Sequence, residues 1–550
     1  MDAYQYLDQP VYPGMDKAEW PIPETNFDNA GPTMAGFNRP TRFEGEMRNL
    51  EVVGTIPKSI AGTYFRVMPE PYHVPFVKND IWLNGDGAVS SFRIKDGNID
   101  FKQRFVRTEK FRIEGLANRA LVGKYRNPYT DLVEFLDRTT ANTTVIPFKN
   151  VILALKEDSR PYALDPRTLE TIGVFDFDGQ LESETFTAHP KYDATTRELL
   201  AFGYEGKGIG TPDNFYMSID EHGRFIEKVW FEAPFCAFQH DMAFTDNWVI
   251  FPLGPLECIV DNLKKGGNHW LWTDRGHAIG ILPRRGAKSS DIKWFEGPNW
   301  ITGHVANAWE QDGKVHVQIG VSKENGFGFF PDKDGKCPPQ ESPGVAPYLH
   351  EWVIDPHSDK LKLDPPTQVI PNAAEFPRID DRVMGKKQRF TYGNLMDFTP
   401  GVTDWEYSKP LMGKAIGHMN TLYMHDRQTG EVKKYHRGPR HFFQEPQFIP
   451  RYPEAPEGDG YLVALASDFD AMASELVIID CDDFENHVAL AKLPVRLRPG
   501  FHGSWVDDVD IEGRPVPAAG FTLARRPLAK ETQGTNGKNC GNGTNSLNGH

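Results

Sequence analysis

Four histidines that stand among small or apolar residues are the first positions in this sequence that could do chemistry. They are centred in the stretches TAHPKYD, FQHDMAF, ITGHVANAWE and GFHGSWVDD, as His189, His240, His304 and His502. A histidine in such a setting is either a core side chain with satisfied hydrogen bonds or a metal ligand, because neutral imidazole is the commonest metal ligand in proteins. Next to His189, Pro190 favours extended backbone, so we expect this histidine at a strand end or loop start.

Three glutamates stand in similar surroundings, in ALKED, AAEFPRID and FQEPQFIPR, as Glu157, Glu375 and Glu445. A histidine that binds a metal through one ring nitrogen donates its other N–H to a carboxylate or a carbonyl, which fixes the tautomer. Carboxylates buried beside imidazoles and a cation would have the charge partners that burial requires. We therefore expect these glutamates to accept hydrogen bonds from the ring nitrogens that face away from the metal.

Hairpin signals recur along the chain at intervals of 54 to 71 residues. Each signal pairs two short β-rich runs across a turn that contains Asp, Gly, Pro or Ser. The seven turns lie at or near Asp96, Asp165, Asp220, Arg285, Asp355, Asp426 and Asp480. Such a period favours a β-propeller, whose blades are small antiparallel sheets, over an irregular all-β fold. The sequence therefore predicts an all-β fold, a seven-bladed β-propeller in which loops and short helices form a cap over the axis.

The histidines follow the same period as the hairpins. Successive steps between them are 51, 64 and 198 residues, and the last is three periods of 66. Steps of 71, 70 and 57 residues lead from His304 through Glu375 and Glu445 to His502, and we expect Glu157 in the same phase. Equivalent inner positions of propeller blades converge on the axis, so four imidazoles could meet there around one ion. Spacing alone leaves ordinary core histidines as the alternative.

Composition excludes several classes of protein. A net charge of −15 argues against a general attraction to nucleic acid or to anionic membranes. The chain has no run of 18 apolar residues, so we expect no stable membrane insertion. The first residues lack the pattern of a signal peptide, and the five cysteines are scattered without a C-x-x-C motif. We therefore expect reduced thiols and a cytoplasmic protein.

The composition also changes along the chain. Residues 1–45 are interrupted by Pro and Gly and predict an N-terminal arm packed on the body. Residues 46–528 carry the repeat and predict one propeller domain. Residues 529–550 are polar and rich in Gly and Asn, which predicts a disordered tail.

Taken together, the histidine and glutamate stretches resemble the carotenoid cleavage oxygenases. NGDGAVSSFRIKDG and RPYALDPRTLET are also similar to motifs of that family, and the resemblance extends from about residue 45 to about residue 528. It implies an Fe(II) on the axis and dioxygen as co-substrate. Four neutral imidazoles are suitable ligands for this ion. The implied iron ligands are His189, His240, His304 and His502, and the implied supporting glutamates are Glu157, Glu375 and Glu445. The threonine that crowds one open coordination position in the family matches Thr143 in ANTTV.

Lys156 points to one branch of this family. Members that cleave polyenes usually have an aromatic residue before the first glutamate, whereas this chain reads ALKED. The stilbene-cleaving members resemble it in having a lysine there and a tyrosine upstream, which matches Tyr125 in VGKYRNPY, although Tyr129 lies close by. A buried ammonium needs a partner, and a phenol oxygen offers one that a carotenoid does not. The alternative for Lys156 is a surface lysine paired with Asp158.

The resemblance therefore implies a dioxygenase that cleaves the central double bond of hydroxystilbenes such as resveratrol, and of piceatannol, to two hydroxybenzaldehydes. In this hypothesis Lys156 and Tyr125 hold the phenol oxygen and favour its ionised form. The nearest alternative is an apocarotenoid-cleaving enzyme of the same fold. A catalytically silent propeller that binds a partner is another, and a zinc hydrolase fits less well because four histidines leave no typical three-ligand site.

Overall fold

The structure is a computed structural model that describes residue 27 and residues 32–78, 80–339, 342–412 and 419–511. The described chain folds into seven antiparallel sheets of four to six strands each. Neighbouring sheets touch mainly through the first strand of each, so these strands surround a common axis. The predicted seven-bladed β-propeller is confirmed.

We number the blades 1 to 7 along the chain and give the strands of each from the axis outwards. Blade 1 contains Gly503–Asp507, Gly62–Glu70, Asp86–Lys95, Asn98–Phe105 and Gly45–Met47. Blade 2 contains Thr144–Phe148, Val151–Leu155, Tyr162–Leu164 and Thr171–Val174. Blade 3 contains Lys191–Asp193, Glu198–Tyr204, Asp213–Ile219 and Phe225–Glu232.

Blade 4 has an innermost strand in two pieces, Ala237–Phe238 and Ala243–Phe244, followed by Trp248–Glu257, Ala278–Pro283 with the short Leu271–Trp272, and Lys293–Glu296. Blade 5 contains Ile301–Gln311, Lys314–Ser322, Tyr348–Ile354 and Thr367–Gln368. Blade 6 contains Ala374–Arg378, Phe390–Leu395, Thr421–Asp426 and Val432–Tyr435. Blade 7 begins with His441–Phe443 and Gln447–Pro450 and continues with Gly460–Asp468, Ala473–Asp480, His487–Lys492 and Glu51–Gly54.

Both ends of the chain close the ring. The early strand Glu51–Gly54 pairs with His487–Lys492 at the outside of blade 7. The late strand Gly503–Asp507 pairs with Gly62–Glu70 at the inside of blade 1. Backbone hydrogen bonds therefore join the first and last blades at two places, so opening the ring would break two ladders.

The seven predicted turns occupy equivalent places, because each joins the third strand of a blade to the fourth. The turn in blade 1 shows why the sequence signal is clear. Asp96 and Gly97 both have positive φ, 50° and 79°, between Lys95 and Asn98, which pair with each other. A two-residue turn of this kind matches the twist of a hairpin and favours Asp-Gly.

Short helices connect the strands, and two of them, Gly36–Asn38 and Trp82–Asn84, contribute to the wall of a cavity above the axis. The α-helices are Glu109–Ala117, Val260–Lys264, Trp405–Met412 and Asp508–Ile511. The 3₁₀ helices are Pro32–Met34, Gly36–Asn38, Trp82–Asn84, Pro128–Thr130, Ser289–Asp291, Asp381–Val383 and Cys481–Asp483. None of the helices within the described ranges has the length and apolar character needed to cross a bilayer.

The described part of the N-terminal arm packs on the propeller. Phe37 is buried, and its ring lies 5.0 Å from that of Phe469, just beyond a strand of blade 7. Residues 1–26 and 28–31 of the arm lie outside the described residues, as do residues 512–528 and the predicted tail 529–550. The proposed domain limits stay predictions.

Candidate metal centre

The four histidines meet on the axis. His189 and His502 each stand just before the innermost strand of a blade, His240 lies between the two innermost pieces of blade 4, and His304 lies on the innermost strand of blade 5. Their four ligand nitrogens lie within 4.8 Å of one another. The Nε2 atom of His240 is 3.0 Å from that of His189 and 3.1 Å from that of His304.

Three of the four imidazoles are backed by a glutamate. His240 Nδ1 is 2.8 Å from Glu157 Oε2, His304 Nδ1 is 2.5 Å from Glu375 Oε2, and His502 Nδ1 is 2.9 Å from Glu445 Oε1. Because a carboxylate only accepts, each Nδ1 carries the hydrogen and each Nε2 presents a lone pair to the axis. Lone pairs that face one another at about 3 Å need a proton or a metal ion between them, and four that converge on one point suit a metal ion. This donor set fits a borderline divalent ion such as Fe(II).

His189 differs from the other three histidines. No carboxylate backs its ring within the described residues, and its backbone N–H donates to Thr187 Oγ1 at 2.9 Å. Burial, together with the three neighbouring imidazoles, holds the pKa of His189 well below its usual value. It is therefore neutral at physiological pH, the state in which an imidazole can bind a metal.

The buried carboxylates and imidazoles shift one another. Burial alone would raise the pKa of Glu375, but His304 outweighs burial and lowers that pKa to about 2. Burial lowers the pKa of His502 to about 4 in spite of Glu445, whereas Glu375 outweighs burial and raises the pKa of His304. The carboxylates are thus ionised and able to accept from the rings across the physiological range.

The expectation that Glu157 shares the phase of Glu375 and Glu445 was wrong. Glu157 follows the second strand of blade 2, Val151–Leu155, rather than occupying the innermost position. The innermost position belongs to Thr143, whose N–H donates to Leu155 O at 3.0 Å. Because the first two strands run antiparallel, the end of the second lies beside the start of the first, and both residues face the axis.

Thr143 borders the same space as the histidines. Its carbonyl accepts the backbone N–H of His502 at 3.2 Å, and its hydroxyl donates to Asn142 Oδ1 at 3.1 Å. The side chain lines the cavity above the axis. Restriction of one side of a bound ion by this threonine stays a prediction.

Glycines leave room for Glu375. A Cβ atom on Gly303 would lie 2.5 Å from Glu375 Oε1, and one on Gly320 would lie 3.3 Å from it. The next residue, Phe376, has a φ of 52°, its N–H donates to the Glu375 carboxylate, and its ring stacks on His304 at 5.1 Å. A strained residue and two glycines around one carboxylate indicate a site in which its position is fixed closely.

A cavity of about 1120 Å³ opens above the axis. Aromatic side chains form much of its wall, among them Trp82, Phe238, Phe327, Phe330, Phe376 and Phe501. The sequence could not single these out, because nothing in their local pattern separates them from the other aromatic residues of the chain. Three of the four histidines also line this cavity, so an apolar molecule held in it would lie against them.

Lys156 and Tyr125 lie together on the wall of this cavity. Lys156 is only 5% exposed, with Nζ 3.0 Å from Asp158 Oδ2 and 5.0 Å from the centre of the Tyr125 ring. Lys156 therefore pairs with Asp158, as the alternative expected, but it is buried and not on the surface. Tyr129, the other tyrosine nearby, is 52% exposed and does not line the cavity. Burial lowers the pKa of Lys156 and raises that of Tyr125.

Comparison with known proteins decides the family. The family model described as retinal pigment epithelial membrane protein matches residues 38–507. The chain belongs to this family, the carotenoid oxygenases. It is 52% identical over 508 residues to carotenoid cleavage oxygenase 1 of Neurospora crassa, which covers 92% of this chain and 96% of that protein. It is 48% identical over 482 residues to resveratrol cleavage oxygenase 1 of Aspergillus fumigatus, covering 87% and 96%.

The fold of this carotenoid oxygenase is similar to that in the crystal structure of a Pseudomonas brassicacearum lignostilbene dioxygenase. The TM-score is 0.83 at 38% identity, and the match covers 88% of this chain and 99% of that one. The chain is therefore an oxygenase of the alkene-cleaving type. The family is iron-dependent, in agreement with the donor set on the axis.

Proposed function

We propose that this oxygenase cleaves the central double bond of hydroxystilbenes, such as resveratrol and piceatannol, with dioxygen to give two hydroxybenzaldehydes. The observation that carries the proposal is the buried Lys156 beside Tyr125 on the wall of the cavity. A relative of similar length that is named resveratrol cleavage oxygenase 1 supports it.

The corner formed by Lys156 and Tyr125 suits a phenolate. The Lys156 ammonium has Asp158 as its ion-pair partner and keeps further N–H donors for an oxygen at the cavity face. Because burial raises the pKa of Tyr125, its hydroxyl stays protonated and can donate to the same oxygen. Two donors, one of them charged, hold the ionised form of a 4′-hydroxyl.

Ionisation at this corner affects the alkene through the substrate itself. Electron density from a phenolate oxygen passes through the ring to the conjugated double bond, which becomes easier to oxidise. Lys156 and Tyr125 also fix one end of the molecule, so the double bond lies at a constant distance from the axis. In this scheme the chain supplies orientation and charge stabilisation.

The proposed metal site supplies the remaining chemistry. We propose that His189, His240, His304 and His502 hold Fe(II), which activates dioxygen when bound. Glu157, Glu375 and Glu445 keep three of the rings in the tautomer that presents Nε2. Thr143 restricts one side of the site, and the aromatic walls exclude water.

A specific observation favours an apocarotenoid as a second candidate. The cavity volume of about 1120 Å³ is at or above the upper end of the range of about 300–1,000 Å³ for small-molecule sites. A two-ring stilbene would fill only part of it, and a relative is named carotenoid cleavage oxygenase 1. Both substrates would place a double bond over the same axis.

The experiment that separates these candidates is an aerobic incubation of the Fe(II)-loaded protein with resveratrol and, separately, with β-apo-8′-carotenal, with products read by mass. We expect 4-hydroxybenzaldehyde and 3,5-dihydroxybenzaldehyde from resveratrol. Resveratrol methylated at the 4′-oxygen, which cannot ionise there, is the matched control and should be cleaved poorly. Cleavage of the apocarotenoid alone would overturn the proposal, and no reaction with either substrate would favour a binding propeller.

A further inference from the structure

A chain of buried ionic groups lies behind the Lys156 corner. It runs from Glu157 through Arg126 and Glu205 to His269, and all four side chains are at most 5% exposed. Arg126 donates to the Glu205 carboxylate through Nη2, and His269 Nε2 is 3.1 Å from Glu205 Oε2. Such groups are costly to bury unless every charge is paired, so their place beside the site needs a reason.

Arg126 lies where the two parts of the site meet. It follows Tyr125 in sequence, and its Nη1 lies 3.7 Å from Glu157 Oε1. Glu157 in turn follows Lys156 and accepts from the candidate ligand His240. In each of these two neighbouring pairs, the first residue forms the phenol corner and the second belongs to the support of the metal centre.

The backbone around Tyr125 needs anchors, because Tyr125 and Arg126 lie in a turn outside helices and strands. Arg126 has a φ of 52°, a left-handed conformation that is unusual for a residue other than glycine. Asn127 Nδ2 donates to Leu263 O at 3.0 Å and to Gly267 O at 2.7 Å. The ring of His269 contacts the carbonyl of Arg126 at 2.9 Å. Side-chain contacts, rather than a sheet ladder, thus fix this turn.

His269 carries a positive charge in this arrangement. Its Nδ1 faces the Arg126 carbonyl and its Nε2 faces the Glu205 carboxylate, and both are acceptors. Both ring nitrogens must therefore donate, which only the imidazolium can do. The thiol of Cys258 also lies against the ring, and that of Cys236 is 3.5 Å from Glu205 Oε1.

The charges of these four groups balance, and a hydrogen bond with the neighbouring thiol lowers the pKa of Cys258, so that this cysteine is a further titratable group beside His269. The cations are Arg126 and His269, and the anions are Glu157 and Glu205. Burial would lower the pKa of His269, but Glu205 outweighs burial and raises it to about 9. His269 accordingly stays charged across the physiological range and loses its proton only near pH 9.

We propose that Arg126 is a positioning residue, held by Glu205 and His269, that fixes Glu157 against His240 and Tyr125 against the substrate phenol. The part of this proposal that concerns Glu157 and His240, its metal part, depends only on the metal centre. The part that concerns Tyr125 and the substrate phenol, its phenol part, rests on the proposed function. One buried group would in this way set the geometry of both halves of the site.

The first test measures how fast the Fe(II)-loaded protein releases iron to a strong chelator at pH 7.5. We expect Glu205→Gln and His269→Gln to release iron about tenfold faster, the lower end of the effect of outer partners on metal affinity. His277→Gln is the matched control, because His277 is a buried histidine of the same blade outside this chain of charges. Thermal melting of all three variants shows whether each is folded.

The second test compares the pH dependence of iron release in the wild type with that in one variant. As the pH rises through about 9, His269 loses its proton, and iron release from the wild type should accelerate. His269→Gln should release iron fast on both sides of that pH, without the step. A general loosening of the fold would move melting temperature but would not remove a pH step that belongs to one imidazole.

Kinetics with resveratrol test the phenol part. Because Tyr125 would be misplaced, Glu205→Gln should raise KM several-fold more than it lowers kcat at full iron occupancy. Wild-type iron release and an unchanged KM in both variants would overturn the proposal. If the protein binds iron but turns over no stilbene, the proposed function fails, and the iron-release data alone decide the metal part of the proposal. If the protein binds no iron, both the metal centre and this proposal are overturned.

Discussion

The metal centre and the phenol corner are built in different ways. Each imidazole of the centre comes from the innermost part of a blade, so the repeat of the fold carries all four to the axis. Lys156 follows a strand of blade 2 and Tyr125 lies in a turn outside the sheets. The propeller thus fixes the four histidines, whereas Lys156 and Tyr125 lie to one side of them, where the substrate class could change with the candidate ligands kept.

The two regions also differ in redundancy. In the proposed centre, four imidazoles and three carboxylates would together hold one ion. The corner has one ammonium and one hydroxyl. Substitutions in the centre should therefore change iron content, and substitutions in the corner should change substrate use with iron retained.

The largest effect should follow from removing a candidate ligand. In His304→Ala the ion loses one imidazole, and Glu375 is left buried without its partner. We expect iron affinity to fall by more than about 100-fold, since loss of an outer partner alone costs 10- to 100-fold. Metal analysis after purification in iron-rich medium measures this, with the exposed His222→Ala as control. Unchanged iron content would remove His304 from the ligand set.

Lys156→Met should separate the corner from the centre. The substitution keeps the apolar stem and removes the charge that favours the phenolate, so kcat/KM for resveratrol should fall by about 10²- to 10³-fold. Iron content and melting should stay at the wild-type level. Lys149→Met, an exposed lysine of the same blade, is the control. Full activity of Lys156→Met would rule out the phenolate role.

The sequence predicted the centre better than the corner, for a physical reason. Blade period alone brings the four histidines, Glu375 and Glu445 into one phase, because equivalent strands repeat around an axis. Glu157 does not share that phase, since it reaches the axis from the end of a second strand. Its pairing follows from antiparallel strand geometry, which spacing between blades does not encode.

The corner was accessible to sequence reasoning only through resemblance. Lys156 next to Asp158 reads locally as a surface ion pair, and nothing in the pattern separates Tyr125 from Tyr129. Burial separates them, and burial depends on which loops fold over the axis. The roles of Arg126, Glu205 and His269 were missed for the same reason, because their charges meet only in the folded chain.

A smaller effect should follow from crowding a supporting carboxylate. A Cβ atom in Gly303→Ala would lie 2.5 Å from Glu375 Oε1, so the carboxylate must move away from His304 Nδ1. We expect iron affinity to fall by about 10- to 100-fold, as for other losses of an outer partner. Gly115→Ala is the control, because a Cβ there meets nothing within 4 Å. Equal affinity in the two variants would show that the Glu375 contact does not hold the ligand in place.

The smallest effect should come from Tyr125→Phe, which removes one neutral donor from the corner and keeps the ring under the Lys156 ammonium. A hydrogen bond to a charged group contributes about 1.5–3 kcal/mol, and at the lower end of this range kcat/KM for resveratrol should fall by about tenfold. Tyr129→Phe is the matched control and should be silent, because that side chain is exposed and away from the cavity. The order of the two corner variants carries the argument. If charge stabilisation dominates, Lys156→Met costs more than Tyr125→Phe; the reverse order would mean that the corner selects substrates by shape, and that the ammonium belongs to Asp158 alone.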